Sequence, residues 1–183
     1  MIGATSIALA DATAVAEVVD VVGLRVATPD ADRDSAVEAL EIQGVLRILE
    51  PAATAMAATR LGERDLVELA RALSEMDAAV TSEAFVDAHY RFHAAIVAAG
   101  GNAVLIALIH ALAASLEQVH SQPASAEARA AASRCHRDIY EALRAGDPKQ
   151  ARAAAIVHLA QEEHGAMRAA LGRHASSRHA KSI

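Results

Sequence analysis

The chain is poor in aromatic residues (2% of 183), has no tryptophan, and carries one cysteine. A single thiol, Cys135, cannot close an intrachain disulfide and suits a reducing cytoplasm better than a secreted, disulfide-stapled scaffold. With so few rings the core must be filled by small aliphatic side chains, and the 54% hydrophobic content is dominated by alanine with leucine and valine. Such a mixture favours helix over strand. No apolar run reaches the roughly 18 to 20 residues that span a bilayer, and the start Met1-Ile2-Gly3-Ala4 lacks the basic region of a secretion signal. A soluble cytoplasmic protein with no membrane partner is predicted. The formal net charge of -6 gives no general attraction to nucleic acid, so any DNA-reading face must be local or lie elsewhere. Neither a fixed-period repeat nor a long heptad run is present. The length fits one domain with ragged ends.

Helical punctuation begins near residue 34. Asp34 or Ser35 can cap a helix, and Ala36 to Thr59 then carries Leu40, Leu46, Leu49, Ala53 and Met56 as an inner stripe. Pro51 within this run is expected to kink it or divide it, because its ring removes a backbone donor and crowds the preceding turn. After a break at Gly62-Glu63-Arg64, Leu66, Leu69, Leu73 and Met76 mark a second helix to about Val80. Thr81 or Ser82 caps a third, Glu83 to Ala99, which closes at Gly100-Gly101-Asn102, a left-handed turn signal. A fourth helix runs from Ala103 to about His120, and Ser121 to Ser125 is a loop. Ala126 to Ala145 and Pro148 to Leu171 then form a hairpin about Gly146-Asp147-Pro148. Residues 1–33 remain an uncertain N-terminal segment or linker remnant, and residues 172–183 a flexible basic tail.

Four histidines carry the chemistry. His89 and His93 are four apart, which stacks both imidazoles on one helical face. His136 and His158 each lie 11 residues from Asp147, so in an antiparallel pair they stand at equal height, roughly 16 Å from the turn at about 1.5 Å per residue. The four can converge on a divalent metal; the plainer reading is a set of satisfied core histidines. Imidazole-rich sites suit Zn, Ni, Co or Cu over Mg or Ca, with Zn or Ni the favoured cofactor. His110 could approach the same cavity but reads first as an ordinary surface or core histidine. Glu117-Gln118-Val119-His120 is one E-x-x-H, whereas a di-iron bundle needs two. Cys135 points about 100° from His136 and reads as a small buried apolar group.

Arg47-Ile48-Leu49-Glu50-Pro51-Ala52-Ala53, then Phe92-His93-Ala94-Ala95-Ile96 with Gly101-Asn102, then His136 to Leu143 and Ala151 to Leu159, resemble as an ordered set the FCD domain, the effector-binding domain of FadR-type GntR transcription regulators. The resemblance covers residues 34–171 and implies an all-α, antiparallel bundle of six to seven helices. It further implies a metal held by His93, His136 and His158, a small carboxylate effector at or beside it, and a homodimer. Where the family has an aspartate this chain has His89, so the implied set is four imidazoles; Asp87, about 200° around the helix from His89, does not replace it. Four neutral ligands leave the metal's double charge uncompensated, which favours an anionic effector. Leu46 holds the family's arginine position with Arg47 one step later; Arg47, Arg91 and Arg134 are the candidate effector-carboxylate residues, with Arg152 a further guanidinium in reach. Only some 30 residues precede the resemblance, so DNA contact is expected only through a winged helix-turn-helix that this chain lacks. The function implied is a metal-containing acid sensor of a transcription regulator, not an enzyme. A metal-dependent helical-bundle enzyme and a structural dimerisation bundle are the alternatives, the first weakened by the absence of a nucleophile motif or general base.

Overall fold

A computed structural model describes residues 35–119 and 125–162 of the chain. They form six helices: α1 (Ser35–Ala57), α2 (Glu63–Ala78), α3 (Ser82–Ala99), α4 (Ala103–Val119), α5 (Ala126–Arg144) and α6 (148–162). Among the described residues there is no strand, and the arrangement is the all-α antiparallel bundle that the sequence predicts. None of the described helices is long and apolar enough to cross a membrane. The segments expected at 1–33 and 172–183 lie outside the described residues, as does the part of the last helix beyond 162.

Helix boundaries follow local chemistry. Thr81 caps α3 by accepting from the Ala84 N–H, and Ser125 caps α5 by accepting from Ala128 N–H at 3.2 Å. The α5–α6 reversal ends α5 with Gly146 at φ 65°, where the Asp147 N–H bonds back to the Ala142 carbonyl at 3.1 Å. Asp147 then opens α6: its Oδ1 accepts from the N–H groups of Lys149 and Gln150, and Pro148 occupies the first turn, where no donor is needed. Gly101 at φ 67° turns the chain between α3 and α4. The Arg60 guanidinium donates to the Gly100 carbonyl, fastening the chain after α1 to the end of α3.

Pro51 does not divide the first helix. It is fully buried inside a continuous α1, and three residues later the Thr54 hydroxyl donates to the Glu50 carbonyl at 2.8 Å. Tertiary burial on both sides of the ring outweighs one missing backbone bond.

Helix α3 is the centre of the packing and touches α1, α2 and α4. The main core gathers Leu69 and Met76 of α2, Phe92 and Ile96 of α3, Ile139 and Leu143 of α5, and Ala151 and Ala155 of α6. Ala57, Ala88 and Ala151 are fully buried, so methyl groups lie where helices approach one another. That accounts for a core that needs so few aromatic residues. A second cluster, Ile42, Leu46, Ala53, Val97 and Ile109, joins α1 to α3 and α4. Together these contacts hold α3, α5 and α6 side by side with their histidines inward.

Candidate metal centre

Helix α3 supplies His89 and His93 on one face, α5 supplies His136, and α6 supplies His158. One ligand atom from each can be chosen so that all four lie within 4.8 Å of one another. The tightest ring pair is His136 with His158, at 4.2 Å between centroids; His89 and His93 stand 4.6 Å apart. Phe92 lies against His136 at 5.2 Å and seals the inner side. His136 and His158 are buried, while His89 and His93 keep a partly open edge. The site is thus closed toward the core and accessible from one side.

Hydrogen bonds define which nitrogens face inward. Nδ1 of His136 lies 2.7 Å from the Ala132 carbonyl, an acceptor only, so the proton resides there and Nε2 presents a lone pair. Nδ1 of His93 faces Oε2 of Glu50 at 3.3 Å, which assigns its proton by the same argument. The two Nε2 atoms then meet at 3.1 Å. Two lone pairs so close repel unless a cation or proton stands between them. In a tetrahedral site with Zn–N bonds of about 2.0 to 2.1 Å, neighbouring nitrogens are separated by about 3.3 Å, so this pair has a ligand spacing. The 4.8 Å limit exceeds that value, and closure around one ion requires inward shifts of a fraction of an ångström. His158 offers a further test: neither ring nitrogen has a hydrogen-bond partner although the residue is only 1% exposed. An unpaired buried polar group costs about 1 to 3 kcal/mol, which coordination would relieve.

Two carboxylates complete the surroundings, and both escaped the sequence reading as parts of the site. Glu50 of α1 is buried behind His93, in the position of a carboxylate that orients a metal-binding imidazole. Glu162 of α6 puts Oε1 at 3.1 Å from His89 Nε2 and 3.4 Å from His158 Nε2. Both are ion contacts by distance, yet both imidazole nitrogens lack a directed hydrogen bond. Glu162 follows His158 by four residues, the same spacing that pairs His89 with His93, and that signal was available. Nothing local marks Glu50, which reaches the site only through the packing of α1 on α3. Beside the four imidazoles, carboxylates therefore stand on two sides.

Electrostatics divide the histidines. Burial, with the neighbouring imidazoles of His158, His89 and His93, drives the His136 pKa well below its ordinary value. His158 is pushed down to about 4, chiefly by burial. His93 moves up: burial opposes its charge, but the Glu50 carboxylate beside it prevails. Burial also opposes charge on Glu162, yet His158, His89 and His93 hold its carboxyl well below the usual range. Neutral His136 and His158 beside ionised Glu162 are already in the protonation states of metal ligands.

The other sequence candidates fall outside this cluster. Arg47, Arg91 and Arg134 are all exposed, and the Arg91 guanidinium is bound by Glu75. Arg91 and Arg134 each sit two residues from a cluster histidine and so point to the opposite side of their helices. Arg152 is exposed as well. The thiol of Cys135 donates to Gln161 Oε1 at 2.6 Å, and burial raises its pKa, so it stays protonated. His110 of α4 is absent from the cluster; its Nε2 is buried without a hydrogen-bond partner, and burial lowers its pKa.

Comparison with known proteins bears on both fold and site. A family model described as the FCD domain matches residues 41–161, a span that includes all four histidines and Glu50. Similar solved structures include GntR of Streptococcus agalactiae, at 18% identity and a TM-score of 0.64, covering 74% of this chain and 62% of that one. McbR/YncC of E. coli has 22% identity and the same TM-score of 0.64, covering 86% of this chain and 83% of that one. This chain thus spans less than two thirds of the length of the first of these regulators. At such identities these likenesses show the fold alone. No curated protein sequence gives a significant match. The family model covers well over half of the chain, which therefore belongs to the FCD domain family of GntR-type transcription regulators.

Proposed function

We propose that residues 34–171 form the effector-sensing domain of a GntR-type transcription regulator, in which His89, His93, His136 and His158 hold a divalent metal and a small carboxylate binds beside it. The observation that carries this reading is the approach of two Nε2 atoms, of His93 and His136, to 3.1 Å, with each Nδ1 directed at an outward acceptor. Core histidines placed only for packing have no reason to aim these nitrogens at each other. A bound divalent ion would supply Lewis acidity and positive charge for the effector's carboxylate. The chain's own residues do the remainder. Glu50 keeps His93 in the tautomer that exposes Nε2, the Ala132 carbonyl does so for His136, and Phe92 excludes water from the inner side.

The partly open edge at His89 and His93 is the side from which a small acid would enter. Binding there changes contacts among α3, α5 and α6, and a shift in their relative population would be read in a dimeric regulator as altered DNA geometry. On α1, Val45 (43% exposed) and Ile48 (70% exposed) lie about one turn apart and offer an apolar strip suited to a second copy of the chain. DNA contact belongs in this reading to a winged helix-turn-helix outside the six described helices. Zn and Ni both suit an imidazole-rich donor set. Metal analysis after purification, with single substitutions, tests the proposal: His93→Ala and His158→Ala should lose most of the metal that the parent and His110→Ala retain. Equal metal content in all four proteins refutes it.

A further inference from the structure

We infer that Glu162 is a fifth, anionic ligand of the histidine site, so that the complete donor set is four imidazoles and one carboxylate entering from the end of α6. The inference rests on the metal reading above and adds to it a residue that the four-histidine set omits. Its first support is position. Glu162 Oε1 approaches two different members of that set, His89 Nε2 at 3.1 Å and His158 Nε2 at 3.4 Å, both distances typical of neighbouring atoms in one coordination shell.

The second support is that neither contact is a well-directed hydrogen bond, although His89 and Glu162 lie close enough to act as partners. His89 Nε2 and both ring nitrogens of His158 are buried and lack a directed partner, although a carboxylate oxygen lies beside two of them. A single oxygen lying between two ring nitrogens cannot be fully directed at both. Placed instead as a third vertex beside two lone-pair-bearing nitrogens, it needs no such alignment.

Charge and spacing agree. Four imidazoles leave a divalent ion its full double charge in a half-buried site, and one carboxylate halves it. Glu162 is one turn beyond His158 on the same helical face, so a single helix delivers a nitrogen and an oxygen without rearranging its backbone. Its side chain is 30% exposed, which puts the oxygen at the edge of the cluster and not behind it. Glu50 is excluded from the same role, because it faces Nδ1 of His93, the nitrogen directed away from His136. Five protein ligands preclude a closed tetrahedral centre and leave one octahedral position, room for a single oxygen of a small carboxylate.

Cobalt(II) is a suitable probe because its visible absorption strengthens as coordination falls from five or six to four. The metal-free full chain would be titrated with Co(II) as parent, Glu162→Gln, Glu162→Asp and His93→Ala, with far-UV circular dichroism of each metal-free protein as the folding check. The parent should bind one Co(II) with the weak bands of five or six ligands. Glu162→Gln should bind at least about tenfold more weakly, with bands several-fold more intense, whereas Glu162→Asp should keep the weak bands. Parent-like affinity and spectrum in Glu162→Gln overturn the fifth ligand while leaving the four-histidine site standing. Failure of the parent to bind Co(II), or parent-like binding by His93→Ala, overturns both.

Discussion

Acid should destabilise the metal-free domain well before its carboxylates titrate, because two buried histidines refuse protons that the unfolded chain accepts. His158 has a folded-state pKa of about 4 against 6.5 when exposed, and His136 is lowered well below 6.5. For a base with a depressed folded pKa, the unfolded state binds more protons between the two values, so stability is complete above 6.5 and falls as pH drops toward the folded value. Each such group contributes about 1.4 kcal/mol per pH unit inside its window. Between pH 6.5 and 5.0 His158 therefore removes about 2 kcal/mol from a domain whose class is stable by about 5 to 15 kcal/mol, and His136 acts in the same direction. His93 acts oppositely: its raised pKa contributes stability that is fully present below 6.5 and lost as pH rises through the folded value, so it trims the difference only above the window. Glu162, held low, contributes stability above 4.5 that is lost only as pH falls through its lower folded value, outside this range. Urea unfolding with excess chelator at pH 7.5 and 5.0 measures the change directly. His158→Gln should reduce the pH dependence by about 2 kcal/mol. A parent whose stability differs by less than about 1 kcal/mol between the two pH values would refute the assignment of both histidines as neutral and buried.

Glu50→Gln should leave the fold intact but weaken metal binding by about 10- to 100-fold, since the charged acceptor that orients His93 becomes a neutral amide that can also turn its NH2 toward the ring; competition with a chromogenic chelator reads the affinity. Phe92→Ala removes a fully buried ring and should cost about 3 to 5 kcal/mol in denaturant unfolding. Ala57→Leu forces extra volume into a position with no exposure, and a loss of about 1 to 3 kcal/mol is expected; a neutral result would mean that the helices there can part. Gly101→Ala places a Cβ on backbone at φ 67° and should cost about 1 kcal/mol, visible as a lowered Tm.

How far the sequence announced this arrangement depends on whether a feature is local. The four histidines were legible because two lie one helical turn apart and two are symmetric about Gly146-Asp147-Pro148, and the observed turn keeps that symmetry by ending α5 and opening α6 around Asp147. The ends of α3 were legible from Thr81 and Gly101 for the same reason. Pro51 was only partly legible, since a proline's local cost says nothing about the burial that offsets it. Glu50 was hidden, because its partner is on another helix and no spacing links residue 50 to residue 93. The outward direction of Arg91 and Arg134 was implicit in the rotation that turns Asp87 away from the histidines. A guanidinium suits a carboxylate chemically, but on these helices the wheel places it on the wrong side.

On the acid-sensing reading proposed above, α1 belongs to the sensing unit and not merely to its packing. Of the six helices, α3, α5 and α6 carry the imidazoles, yet the buried carboxylate that fixes the His93 tautomer comes from α1. Any ligand that rotates or recharges His93 must change its contact with Glu50, and Glu50 is held in a helix whose next turn toward the N-terminus bears exposed Val45 and Ile48. A small acid can shift an equilibrium only by its difference in affinity for two arrangements. The His93–Glu50 contact is where such a difference would be felt by a helix that exposes Val45 and Ile48. With metal held at saturation, a chain with Glu50→Gln should then bind effector without the thermal or oligomeric response that the parent shows, separating capture of the acid from transmission of its signal.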